Sequence, residues 1–197
     1  ATTEIYTLFP TRRSSDLETK MTKKIITIGG STSKMSINKI LVEYAGSLLH
    51  NINVQNINLN DFEMPLFSVD IMEEHGTPEA AKKLDAIINN ADGILISLTE
   101  HNGAYSAAFK NIFDWLSIID GKVWKDKPML LLSTSPGVRG GESVLSIALN
   151  RFPYNGGNII GSMSFPSFNE NFKNNEIVNN TLKDKLVKLI ADFEKAL

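Results

Sequence analysis

Five times along this chain a short apolar run is followed by a segment with helical spacing, and no other feature restricts its fold as much. The runs are KKIITIG (Lys23–Gly29), VQNINL (Val54–Leu59), GILISLT (Gly93–Thr99), PMLLLSTS (Pro128–Ser135) and NIIGSMSF (Asn158–Phe165). They are aliphatic or β-branched and end at Gly, Asn, Asp or Pro, as strands do. Several are apolar almost throughout, the pattern of strands covered on both faces. Helical patterns lie between them over Ile37–Leu49, Pro78–Asn89, Ala104–Ile118, Glu142–Arg151 and Glu176–Leu197. The second opens with Thr77 as expected N-cap, Pro78 at the first helical position and Glu79 in the first turn. In the last, Leu182, Leu186, Leu189, Ile190 and Phe193 make one amphipathic face. Alternation of this kind predicts an α/β fold, a three-layer sandwich on a doubly wound parallel sheet with right-handed crossovers. Such sheets bind ligands beyond the carboxyl ends of their strands, so the loops after the strands are the ones to read for function.

Residues 1–17, ATTEIYTLFPTRRSSDL, have neither strand nor helix period. They resemble the translation of a sequencing-library adapter, and residues 1–20 are expected to be an artefactual or disordered leader, with the natural chain starting at Met21. A mitochondrial presequence is the other reading; Arg12 and Arg13 favour it, Glu4, Asp16 and Glu18 oppose it. The remainder, 21–197, is the length of one domain. The leader's three bases and three acids cancel, so the net charge of −2 belongs to that domain. It lacks the basic excess of a nucleic-acid binder and any polybasic membrane patch. The sequence has no cysteine, which removes disulfides, thiol nucleophiles, thiolate-held zinc and iron–sulfur clusters. Redox chemistry therefore requires a bound cofactor. No apolar run approaches the roughly 20 residues of a membrane helix, and the expected location is the cytoplasm.

Three loops stand out. After the first run comes GGSTSKMSIN, Gly29 to Asn38, two glycines and four hydroxyls with Lys34 among them. Backbone N–H groups, serine hydroxyls and a helix amino end make an anion cradle, and Lys34 adds charge. It is neither a Walker loop nor a G-x-G-x-x-G turn. Equally, Ser36 caps the following helix and the rest is turn chemistry; the loop alone leaves both readings standing. The third run empties into TEHNGAYSAAFKNIFDW, Thr99 to Trp115, where Gly103 permits close approach of a ligand and small residues open a helix. The fourth empties into STSPGVRGGE, Ser133 to Glu142, again backbone suited to a planar ligand.

Together these motifs, the Gly30, Ser31, Ser36, Asn38 loop, the Glu100, Asn102, Gly103 turn with Lys110, Asn111, Asp114 and Trp115, and the Ser133 to Gly141 loop, closely resemble the NADPH-dependent FMN reductase family. The resemblance runs from Lys23 to about Leu197. It implies a flavodoxin-like fold with a five-stranded sheet of order 2-1-3-4-5, FMN as cofactor and NADPH or NADH as electron donor. Carried over by position, Gly30, Ser31, Lys34, Ser36, Ile37 and Asn38 meet the FMN phosphate, Glu100, His101, Asn102 and Gly103 lie along the ring, and Ser133, Ser135 and Gly137 form the third wall. The implied reaction is a ping-pong hydride transfer through the flavin to a quinone or similar small acceptor, with no protein residue as the catalytic group. Family members are dimers or tetramers, and a homodimer or homotetramer is expected here. A flavodoxin-like electron carrier without efficient nicotinamide oxidation is the alternative, against which stand the different first loop and the absence of a strongly acidic composition.

The chain departs from the family pattern at Ser33, where an arginine is usual, at Thr99 and His101, where proline and tyrosine are frequent, and at Val138 in place of glycine. His101 is either an acid at the ring or a wall of the pocket. Arg139 either reaches a nicotinamide phosphate or lies in solvent. His50 and His75 have no metal-ligand partners at sensible spacing and read as surface residues. Phe109, Ile112, Phe113 and Trp115 give their helix an apolar circumference, which predicts burial against another subunit. Asp61–Gly76 reads as a long loop at the rim of the flavin pocket.

Overall fold

The computed structural model describes residues 22–197, and the reading of residues 1–20 as a leader lies outside them. Each of the five runs is a strand. In chain order the strands are β1 (Lys24–Gly29), β2 (Asn53–Ile57), β3 (Gly93–His101), β4 (Ala104–Tyr105), β5 (Pro128–Thr134), β6 (Asn158–Phe165), β7 (Phe172–Lys173) and β8 (Glu176–Ile177). The helices are α1 (Ile37–Ser47), α2 (Val69–His75), α3 (Glu79–Asn89), α4 (Ala107–Ile119), α5 (Glu142–Arg151), α6 (Phe168–Asn171) and α7 (Asn180–Lys195). The sheet runs β2-β1-β3-β5-β6, all parallel, which is the expected 2-1-3-4-5 order. The added β4 folds back antiparallel on β3.

Composition explains the order. The three central strands, β1, β3 and β5, are buried along nearly their whole length, and only aliphatic runs can fill such positions. The mixed sequences NVQNI and NIIGSMSF sit at the two edges, where one side remains partly in water. On one face Ile26, Ile28, Ile94, Ile96, Leu98 and Leu131 pack under α3, α4 and α5. On the other Ile25, Leu95, Leu130 and Leu132 meet Leu41 and Val42 of α1 and Leu186, Ile190 and Phe193 of α7. Each such side chain contributes about 1.5–3 kcal/mol by leaving water.

Four expectations need correction. Ala104–Tyr105 is strand, not the start of a helix, because the Asn102-Gly103 turn returns the chain to β3; α4 begins only at Ala107, capped by Ser106. Residues 176–177 are strand too, closing a hairpin with β7 before α7 starts behind Asn179. Pro78, not Thr77, is the N-cap of α3, extended at ψ 143° and without a side-chain cap bond. Asp61–Gly76 is not a loop throughout: the end of a 3-10 turn (Leu59–Phe62) and all of α2 lie within it.

The subunit-contact argument for α4 also loses its premise. Phe109, Ile112, Phe113, Trp115 and Leu116 are all buried within this one chain. Phe113 stacks on Trp124 with ring centroids 5.6 Å apart, and the edge of Phe67 meets the Trp115 ring at 5.0 Å.

Candidate functional site

The three loops converge at the carboxyl end of β1, β3 and β5. Gly30 is the crossing point. Its N–H donates to the Ser97 carbonyl at 2.8 Å, and its own carbonyl accepts from Ser106 Oγ at 2.6 Å, which joins the first loop to the cap of α4. A β-carbon at Gly30 would lie 3.1 Å from the Thr99 nitrogen and 3.3 Å from the Leu98 α-carbon, both backbone atoms, so any larger residue requires the backbone to give by a few tenths of an ångström.

Beyond Gly30 the chain turns over Ser31 to Met35. Ser31 Oγ accepts from Ser33 N at 3.1 Å, and Ser36 Oγ caps α1 by accepting from Lys39 N at 3.2 Å. Among the described residues, the backbone N–H groups of Thr32, Lys34, Met35, Ile37 and Asn38 have no protein acceptor. Five unpaired donors at a helix amino end, with exposed Lys34 beside them, form a concentrated positive potential.

The second loop is a two-residue hairpin turn. Asn102 and Gly103 have φ of 52° and 78°, the left-handed pair of a type I′ turn. Gly103 is therefore favoured by its backbone angle alone; a β-carbon there would meet nothing within 4 Å. His101 and Asn102 are exposed at the tip. In the third loop Gly140 and Gly141 have φ of 56° and 77°, and a β-carbon on Gly140 would press to 2.6 Å of the Phe165 backbone. Ser135 Oγ donates to the Gly137 carbonyl at 3.3 Å, and that carbonyl also accepts from Ser167 N at 2.9 Å, which fixes the loop against the chain after β6.

A cleft of about 460 Å³ opens next to the first loop, lined among others by Thr32, Asn60, Met64, Ala108 and Asn111. Met64 lines it, and the segment that follows, residues 65–67, is latched to α4. The Asn111 carboxamide accepts from Phe67 N at 2.8 Å and donates to the Pro65 carbonyl at 3.0 Å, while Trp115 Nε1 donates to the same carbonyl at 2.8 Å. The Asn and Trp of the K-N-x-x-D-W motif thus act as a clamp, a role that sequence reasoning missed. The signal available in the sequence was two side-chain donors, Asn111 and Trp115, one helical turn apart.

The model of one family, NADPH-dependent FMN reductase, matches residues 23–170, the stretch that contains all three loops. The chain belongs to the NADPH-dependent FMN reductase family. Among its relatives, a quinone reductase of Escherichia coli (strain K12) is 30% identical over 118 residues, which cover 60% of this chain and 63% of that protein. The match thus spans less than two thirds of that relative's length. In structure the chain is similar to FerB, the flavoenzyme NAD(P)H:(acceptor) oxidoreductase of Paracoccus denitrificans, with a TM-score of 0.69 at 24% identity, covering 88% of this chain and 98% of that one. It is also similar to oxidised flavodoxin 1 of Bacillus cereus, with a TM-score of 0.55 at 17% identity over 89% of this chain and 99% of that one. Both likenesses bear on the fold, which is flavodoxin-like.

Membership in the NADPH-dependent FMN reductase family brings FMN as cofactor and NAD(P)H as donor, and the residues present fit the cofactor's phosphate. The unpaired N–H groups of the first loop and the Lys34 ammonium are the donors a dianion needs. Three side chains named from the sequence have other work. Asn38 is 2% exposed; its Nδ2 donates to the Thr134 carbonyl at 3.0 Å, and its Oδ1 accepts from Thr134 N at 3.0 Å and from Ser97 Oγ at 2.7 Å. Only its backbone N–H faces the cradle. Ser133 is fully buried and its hydroxyl donates to the Gly140 carbonyl at 2.8 Å, holding the third loop rather than a ligand. Glu100 Oε2 accepts from Val144 N at 3.1 Å and so caps α5, whose own N-cap, Gly141, has no side chain.

Proposed function

We propose that this chain is an FMN-dependent NAD(P)H oxidoreductase that delivers two electrons to quinones or similar small acceptors in a ping-pong sequence. The observation that carries the reading is the first loop, where five unpaired N–H groups, the amino end of α1 and Lys34 converge beside the two other loops of the family pattern. FMN, when bound, supplies the redox chemistry. The work of the protein is binding and orientation. Thr32, Lys34, Met35, Ile37 and Asn38 hold the phosphate through backbone N–H groups, with the Ser31 and Ser36 hydroxyls and the Lys34 ammonium completing the shell. The Glu100–Gly103 hairpin and the Ser135–Gly137 segment border the ring. The cleft beside Thr32, lined also by Met64 and Asn111, lies next to this arrangement and offers room for a nicotinamide or an acceptor.

A second copy of the chain belongs to the same proposal, as a homodimer or homotetramer. It is supported by exposed Leu66 and Val69, just before and at the start of α2, and by Ile147, Leu149 and Tyr154 on and just beyond α5.

Titration of flavin-free protein with FMN, followed by flavin fluorescence, tests the reading. Saturable binding is expected, and Lys34→Glu weakens it by about tenfold or more, the scale of a charge-assisted hydrogen bond replaced by repulsion. Lys34 is exposed and outside the cap of α1, so the variant folds normally. Ser36→Ala is a poorer probe because it also removes the cap bond to Lys39 N. Absence of FMN binding by the unaltered protein contradicts the proposal.

A further inference from the structure

Thr32, Ser33, Lys34 and Met35 at the tip of the first loop are all exposed, so packing does not fix their backbone. Hydrogen bonds have to. Three of these are local: Ser31 N donates to the Gly29 carbonyl at 2.8 Å, Ser33 N to Ser31 Oγ at 3.1 Å, and Ser36 N to the Ser33 carbonyl at 3.2 Å. Among the described residues, a single hydrogen bond reaches residues 31–35 from outside the segment 29–36. Asn60, in the 3-10 turn that follows β2, donates from Nδ2 to the Thr32 carbonyl at 3.1 Å.

Asn60 is itself aimed. The same amide nitrogen donates to Asn58 Oδ1 at 2.9 Å, and that oxygen also accepts from Asn60 N at 3.2 Å as the cap of the turn. Both partners of Nδ2 are acceptors, so the carboxamide faces one way and both of its hydrogens are used. The peptide between Thr32 and Ser33 is thereby held on two sides, its carbonyl by Asn60 and its N–H by Ser31 Oγ. A peptide unit is a rigid plane, and the unpaired N–H groups of Thr32 and Lys34 flank this one. Its orientation sets their directions relative to each other. We infer that Asn60 is a positioning residue for the FMN phosphate, which acts through the Thr32 carbonyl to make the Thr32 and Lys34 N–H groups converge on one anion. What it supplies is preorganisation, which raises affinity by lowering the ordering cost of binding. The inference rests on the FMN reading proposed above and adds a residue that lies outside all three loop motifs.

Three variants test it: Asn60→Ala, Asn58→Ala and the two combined. Dissociation constants of FMN and of riboflavin, which has the ring and side chain of FMN but no phosphate, are measured on flavin-free protein together with the melting temperature. Asn60 is exposed, so Asn60→Ala is expected to melt within about 2 °C of the parent. Its FMN constant is expected to rise about fivefold, the scale of one hydrogen bond, while riboflavin binding stays within about twofold. A merely structural role weakens both flavins alike. Asn58→Ala is expected to raise the FMN constant about threefold in the parent and to add nothing in the Asn60→Ala background, because Asn58 acts on the loop only through Asn60. An FMN constant unchanged in Asn60→Ala, equal weakening of FMN and riboflavin, or additive losses in the double variant overturns the inference while leaving FMN binding itself intact. Failure of the parent protein to bind FMN removes the FMN reading and this inference with it.

Discussion

Tyr105 shows how one residue links burial to pH. Its hydroxyl is shielded and has no partner among the described residues, and burial pushes its pKa up to about 12, against a weaker downward pull from Arg151. The folded state thus holds this proton where the unfolded chain, near pH 10, releases it. Stability from this group is complete below pH 10 and is lost as pH rises toward about 12. Tyr105→Phe is expected to be neutral or up to about 1 kcal/mol stabilising at pH 7. Its advantage over the parent should widen between pH 10 and 12 in urea unfolding; a constant difference contradicts the assignment. Asn38 makes the opposite prediction. Asn38→Ala removes three buried hydrogen bonds, one to the Ser97 hydroxyl and two to the Thr134 backbone, at a cost of about 3 kcal/mol or more. A loss below 1 kcal/mol in the same assay is inconsistent with that clamp. Position in the motif put Asn38 at the head of α1 but could not tell which way the carboxamide points. Two residues into a helix, a side chain faces either the loop or the sheet, and the partners that decide, Ser97 and Thr134, are far away in sequence.

At the scale of elements, legibility followed length. The five long strands and five long helices were readable because burial imposes apolar runs on the strands and a period on the helices. What escaped was short. Both overlooked hairpins turn on residue pairs with positive φ, Asn102-Gly103 and Asn174-Asn175, local signals that helical spacing on either side obscured. Helix α2 has no buried residue, so it leaves no apolar period to read; its start is set by Ser68, which caps Ile71 N at 3.1 Å. The latch between α4 and residues 64–67 is an element-scale device with its own test. Asn111→Ala removes the bonds to Phe67 N and the Pro65 carbonyl. It is expected to cost about 1–2 kcal/mol and to speed proteolytic cleavage near Pro65–Ser68. Cleavage no faster than in the parent argues that Trp115 alone holds the segment.

For the whole molecule, the cradle is assembled from parts that are individually stable without a ligand. Gly30 crosses β3, Ser106 ties the first loop to α4, Asn38 ties α1 to β5, and Glu100 ties the hairpin to α5. Such a site is preorganised, so FMN should bind without refolding and raise the melting temperature in proportion to the logarithm of its concentration above the dissociation constant. The most direct measurement is the visible spectrum of the FMN-loaded protein before and after anaerobic addition of NADPH, and separately NADH. The account predicts a yellow protein that is bleached on the timescale of turnover by at least one of the two and recovers its colour when a quinone is added. A protein that binds FMN yet stays yellow with both nucleotides contradicts the reductase assignment and marks the chain as an electron carrier.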